Sequence, residues 1–99
     1  MTTKIKICGI TDPNDALEAA SLGAYAVGFN FYSRSPRYIS PGSARKIVDM
    51  LPAEIVKIGV FVNEEPAIIA QIVETAGLDQ IQLHGDEDVE FIERVRDLT

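Results

Sequence analysis

Apolar residues along this chain switch repeatedly between two spacings. Short runs rich in β-branched residues and bounded by turn formers predict strands at residues 4–8, 25–31, 55–62 and 79–84. Between them the apolar positions recur every three or four residues, the period of a helix with one buried face. Asp12 followed by Pro13 predicts the start of the first helix, since a side-chain oxygen caps free N–H groups and proline is favoured in the first turn. Gly23 predicts its end. Ser40-Pro41 opens a second helix with Ala44, Ile47, Val48 and Leu51 on one face, and Pro52 closes it. Asn63 is the predicted cap of a third, whose apolar positions Ile68, Ile69, Ile72, Val73 and Ala76 run to Gly77. Gly85-Asp86 leads into a last helix with Val89, Ile92, Val95 and Leu98 on its buried stripe.

Four strand–helix units in succession imply an α/β fold with parallel strands and right-handed crossovers. No linker, low-complexity stretch or composition break divides the chain, so residues 1–99 read as one domain. Two architectures fit: half of a (β/α)8 barrel, or an open flavodoxin-like sheet. Alternate strand residues point to opposite faces. One phase reads Ile5 and Ile7; Val56, Ile58, Val60 and Val62; Ile81 and Leu83. The other reads Lys4, Lys6 and Cys8; Lys57, Gly59, Phe61 and Asn63; Gln80, Gln82 and His84. Strands covered by helices on both faces are apolar in both phases. The mixed second phase therefore predicts a polar barrel lumen, with the apolar phase against an outer layer of helices. A complete barrel takes eight such units and about 250 residues; these 99 residues hold four.

Composition narrows the functional classes. A net charge of −6 argues against general affinity for nucleic acid or anionic membrane. The single cysteine forms no internal disulfide and gives no sign of secretion. No apolar run is long enough to span a bilayer, and the early first strand leaves no room for a signal peptide. The expectation is a soluble cytoplasmic protein.

The chemistry-bearing residues gather at strand ends. Cys8 and His84 lie in the same phase, each at the C-terminal end of its strand, where βα barrels place reactive groups. A thiolate there serves as base or nucleophile; a small buried structural cysteine is the alternative. Taken alone, His84 reads as a hydrogen-bonded structural histidine ahead of a catalytic one. Arg34 and Arg37 flank Pro36 in the loop after the second strand. Their guanidinium groups suit an anion such as carboxylate or phosphate, or are simply solvated. Asn63-Glu64-Glu65-Pro66 and Asp86-Glu87-Asp88 read as helix starts with acids matching the macrodipole. One histidine and one cysteine are too few for a zinc site. The chain carries no phosphate-binding Walker sequence and no G-x-G-x-x-G fingerprint, and Gly23-x4-Gly28 is neither.

Taken together, Lys6-Ile7-Cys8-Gly9-Ile10-Thr11, Gly28-Phe29-Asn30-Phe31-Tyr32, Ser35-Pro36-Arg37-Tyr38-Ile39-Ser40, Gly59-Val60-Phe61-Val62-Asn63 and Gln82-Leu83-His84-Gly85 resemble the phosphoribosylanthranilate isomerase family, in order and spacing, over nearly the whole chain. The resemblance implies a (β/α)8 barrel and a cofactor-free Amadori rearrangement of N-(5′-phosphoribosyl)anthranilate, an aldose–ketose type isomerisation in tryptophan biosynthesis. It implies that Cys8 is the base that removes the C2 proton, that Arg37 contacts the anthranilate side of the substrate, and that His84 is a substrate-site residue. It gives Arg34 no role. In that family the general acid is an aspartate on the fifth strand, and the phosphate is held by loops after strands seven and eight. The 99 residues hold the base without the acid or the phosphate cradle, so the chain alone is expected to show little or no isomerase activity. Its open strand edges and uncovered lumen imply pairing with a C-terminal half-barrel or with a second copy. Lys4, Lys6 and Lys57 would oppose their own counterparts in a two-fold pair, which favours a different half. The other functional readings are a non-catalytic half-barrel scaffold and a small flavodoxin-like binding domain.

Overall fold

The computed structural model describes residues 4–85 and 87–98. Asp86, expected in the approach to the last helix, and the side chain of Leu98 lie outside that description. Four strands alternate with four helices: β1 (Lys6–Ile7), α1 (Pro13–Ser21), β2 (Ala26–Asn30), α2 (Pro41–Val48), β3 (Val56–Phe61), α3 (Pro66–Ala76), β4 (Gln80–Leu83) and α4 (Val89–Leu98). The sheet order is β1-β2-β3-β4, and every neighbouring pair is parallel. This sequential order is that of a barrel wall. A flavodoxin-like sheet reorders its strands, so that alternative is excluded.

The helix starts follow from capping. The Asp12 carboxylate accepts the Asn14 N–H at 2.7 Å, Pro13 occupies the first turn of α1, and Gly23 ends it with φ 85°. Ser40 caps α2 through the Ser43 N–H, and Asp88 accepts the Phe91 N–H at 2.8 Å at the start of α4. At α3 the expectation fails. Glu65, not Asn63, is the N-cap, without a side-chain cap bond, and the first turn holds no acid. Asn63 instead takes a left-handed conformation (φ 50°) that turns the chain out of β3. The stripe expected on α4 is also revised. Val95 is buried and Phe91 packs on the core, whereas Val89 and Ile92 are exposed.

Strand register fixes which residues share a face. Lys6 pairs with Ala26 and Ala26 with Val56; Gly28 pairs with Ile58 and Ile58 with Gln80; Asn30 pairs with Val60 and Val60 with Gln82. Lys6, Ala26, Gly28, Asn30, Val56, Ile58, Val60, Gln80 and Gln82 therefore line one face. Val27, Phe29, Gly59, Phe61, Ile81 and Leu83 line the other. This second face forms the core with Ala16, Ala44, Ile47, Ile69 and Val95 of the helices. Phe31 and Phe61 stack there with ring centroids 5.4 Å apart.

The phase assigned to β3 from the sequence is thus inverted. Val56, Ile58 and Val60 face the lumen, and Lys57, Gly59 and Phe61 face the helices. The central strand is apolar on both faces, as parallel strands usually are, and alternation carries no directional signal there. Lys57 is the single polar interruption. It is buried on the helix side, with its ammonium donating to the Pro52 carbonyl at 2.9 Å and its backbone N–H bonded to the Asp79 carboxylate.

The sheet is strongly curved. In a flat sheet three strand spacings would hold β1 and β4 about 14 Å apart, with side chains standing perpendicular to it. Yet the Lys6 ammonium donates to the Gln82 amide oxygen at 2.6 Å, linking the two outermost strands across the concave face. The lumen, expected to be uncovered, is covered at its centre, where Ala26, Ile58 and Val60 are 0%, 6% and 7% exposed, while Cys8 and Gln80 on the same face stay exposed.

Candidate functional site

Cys8 follows β1 by one residue and shares the phase of Lys6. Its placement is read from Gly28, the β2 residue beside it: a Cβ at position 28 would lie 3.0 Å from the Cys8 Sγ and 3.4 Å from its Cα. The thiol therefore rests over a strand position without a side chain, on the concave face. The Ile10 N–H donates to the Gly28 carbonyl at 3.1 Å, which holds the chain after Cys8 against β2. The thiol is free and exposed.

Arg37 reaches the same place by turn geometry. The loop after β2 folds back through bonds from Ser35 N–H to the Tyr32 carbonyl, Tyr38 N–H to the Ser35 carbonyl and Ile39 N–H to the Asn30 carbonyl. The Arg37 N–H bonds to the Ser35 hydroxyl at 3.1 Å, and the Asn30 side chain accepts the Tyr32 N–H. The Arg37 stem then lies across Gly9, where a Cβ would come within 2.5 Å of Cδ. Gly9 is also left-handed, with φ 77°, so a side chain there would strain the backbone and push the Arg37 stem aside. The exposed guanidinium is thereby set beside the residue that carries the thiol. Among the described residues neither Arg37 nor Arg34 forms an ion pair. Nothing ties Arg34, on the same loop and exposed, to the site.

His84 stands one residue past β4, its N–H bonded to the Phe61 carbonyl at 2.9 Å. Its ring Nε2 is 2.7 Å from the Gln82 amide nitrogen. Since Gln82 also contacts Lys6, a polar strip runs from β1 to β4 along the concave face. The structure thus brings Cys8, Arg37 and His84 to one rim, the C-terminal end of the strands.

Six further residues that shape the site do not stand out in the sequence. Gly9 and Gly28 give room to Arg37 and Cys8, and an isolated glycine inside a strand is a usable sign of close approach. Lys6 and Gln82 read from the sequence as lumen residues with no individual role. Glu87, read as a helix-dipole acid, instead accepts the Asn63 and Gly85 N–H groups, both at 2.7 Å, and clips together the loops after β3 and β4. Gly85 is required there, because a Cβ would run into the Asn63 side-chain oxygen. Among the described residues no three His, Cys, Asp or Glu side chains gather as a metal site, and no helix is long and apolar enough to cross a membrane.

A curved, sequentially ordered parallel sheet wrapped by helices, with thiol, guanidinium and imidazole at its C-terminal rim, has the architecture of the (β/α)8-barrel proteins. The match is specific at the level of family. The family model for N-(5′-phosphoribosyl)anthranilate (PRA) isomerase matches residues 5–99, and the chain belongs to that family. It is 52% identical over 94 residues to N-(5′-phosphoribosyl)anthranilate isomerase of Thermotoga neapolitana, covering 95% of this chain and 46% of that protein. It is 50% identical over 92 residues to the same enzyme of Syntrophus aciditrophicus, covering 93% and 40%. The crystal structure of phosphoribosyl anthranilate isomerase from Thermotoga maritima superimposes with a TM-score of 0.94 at 46% identity, covering 97% of this chain and 47% of that one. A structure of the enzyme in complex with reduced 1-(o-carboxyphenylamino)-1-deoxyribulose 5-phosphate matches equally, with a TM-score of 0.94. The chain spans about half the length of the curated relatives it matches.

Proposed function

We propose that residues 1–99 supply the first four βα units of a cytoplasmic (β/α)8-barrel enzyme that rearranges N-(5′-phosphoribosyl)anthranilate to its 1-deoxyribulose isomer. One observation carries this reading: Cys8, Arg37 and His84 converge on one rim of a concave face, with Arg37 laid across the Gly9 that follows the thiol. Once the ribose ring has opened to an iminium, the proton at C2 is acidic. The Cys8 thiolate takes it, the C–H electron pair forms the enolamine, and tautomerisation gives the ketone. A base does this only within hydrogen-bond reach of its proton. Arg37 supplies a planar two-pronged donor matched to the anthranilate carboxylate, and His84 a further contact to the sugar or its substituent. No cofactor enters these steps. The acid that opens the ring and the loops that hold the phosphate belong to the other four units of the barrel.

The test is complementation. The 99-residue chain by itself is expected to turn over no substrate above background, and its mixture with the last four βα units of a relative to regain isomerase turnover. Native-like rates from the chain alone, or assembly to a folded complex with no turnover, would sink the proposal; the second outcome would favour a scaffold.

A further inference from the structure

We infer that Lys6 and Gln82 are positioning residues that hold the His84 imidazole as its Nδ1–H tautomer. The inference follows from donor and acceptor chemistry. A lysine ammonium has donors and no acceptor, so the Gln82 atom 2.6 Å from Lys6 Nζ is the amide oxygen. That fixes the orientation of the amide and turns its NH2 group toward His84. An amide NH2 likewise only donates, so the ring nitrogen 2.7 Å away must present a lone pair. That nitrogen is Nε2, and the neutral ring therefore carries its proton on Nδ1. A neutral imidazole left to water favours the proton on Nε2. The chain of contacts reverses that preference at an exposed ring whose other nitrogen engages no described residue.

The consequence is directional. In the neutral ring a proton on Nε2 would set N–H against N–H at 2.7 Å, so the contact leaves Nδ1–H as the only ring donor. Lys6 sits at the far edge of the sheet, on β1, and reaches the ring only through Gln82 on β4. The same contacts that curl the sheet thus set the hydrogen-bonding sense of a rim residue. Within the isomerase reading, on which this part rests, His84 donates from Nδ1 to an oxygen of the substrate and does not act as an acid from Nε2. The tautomer itself does not depend on that reading.

The chain has one histidine, so its imidazole nitrogens give unambiguous signals. Long-range proton–nitrogen correlation spectra of the 15N-labelled 99-residue chain, taken where the ring is neutral, are expected to show a pyridine-type Nε2 and a pyrrole-type Nδ1. Lys6→Met should shift the populations toward Nε2–H, and Lys6→Arg should restore them. Gln82→Glu places an acceptor where the donor stood and should invert the pattern outright. A wild-type ring with its proton on Nε2 overturns the inference, as does a Lys6→Met spectrum unchanged from wild type. If Lys6→Met fails to fold, the wild-type and Gln82→Glu spectra decide. Loss of the isomerase reading would appear differently, as absent turnover in the reassembled barrel with the Nδ1–H pattern intact.

Discussion

Replacing Gly28 by alanine probes how the thiol is held. The new Cβ would sit 3.0 Å from the Cys8 Sγ, 3.4 Å from its Cα and 3.5 Å from its Cβ. Ordinary contacts begin near 3.4 Å, so the two carbon contacts are tolerable and the sulfur must give way. The thiol, at the free end of a short exposed side chain, swings to another rotamer and the strands stay in place. Stability should therefore fall by only about 1 kcal/mol, the low end of overpacking. Catalysis should suffer far more, since displacing a reacting group by about 1 Å costs on the order of a hundredfold in rate. That corresponds to about 2.7 kcal/mol of barrier. The assay is kcat/KM of the chain assembled with the complementary four units, with urea melts as the folding control. Alkylation by iodoacetamide gives a second readout, because Cys8 is the sole cysteine and its reaction rate should change with its rotamer. A Gly28→Ala barrel with kcat/KM within a factor of about two of the parent would refute the placement of the thiol over this strand.

Other outcomes follow from the packing. Gly59→Ala should cost about 1–3 kcal/mol in urea melts, because its Cβ would enter the helix-side core against Leu78, Phe61 and Phe31; a neutral substitution would return Gly59 to the lumen. Asp12→Ala should destabilise the chain by about 1 kcal/mol through loss of the α1 cap, checked by thermal melts, with an unchanged melting temperature as the contrary result. The 99-residue chain should associate in a sedimentation concentration series. β1 and β4 each pair on one side only within the described sheet, and Ile5, Ile7 and Ile92 are exposed near those edges. A monomer at high concentration would show that the curl alone satisfies the sheet.

How much of this was legible depends on where along the chain one looks. Strand and helix order, the starts of α1 and α2, and the shared rim of Cys8 and His84 follow from local signals: capping residues, proline in a first turn, and alternation in edge strands with one polar face. β3 defeats the same reasoning. With apolar residues on both faces, its one lysine looked like a lumen residue, while the structure buries Lys57 beside Pro52 on the helix side. Burial of a lysine depends on a carbonyl brought close by tertiary folding, which no local pattern announces. The turn at Asn63 escapes local pattern for a related reason. Asparagine suits both an N-cap and a left-handed turn, and the Glu87 clip across to the neighbouring loop accompanies the second. The curl of the sheet was legible only as an architecture. Its direct expression, the Lys6–Gln82 contact, joins residues 76 positions apart. Arg37 could be suspected of binding an anion, but its placement across Gly9 needed the loop after β2 in three dimensions.

The central claim is that the thiol at the end of β1 is the base of a barrel assembled around this chain. It is tested most directly by kcat of the reassembled barrel carrying Cys8→Ser, measured beside its affinity for a reduced product analogue. Serine keeps the shape and replaces the thiol with a hydroxyl that gives up its proton far less readily, so kcat should fall by about 10²- to 10⁴-fold while analogue binding is unchanged. A variant that turns over at the parent rate would contradict the account.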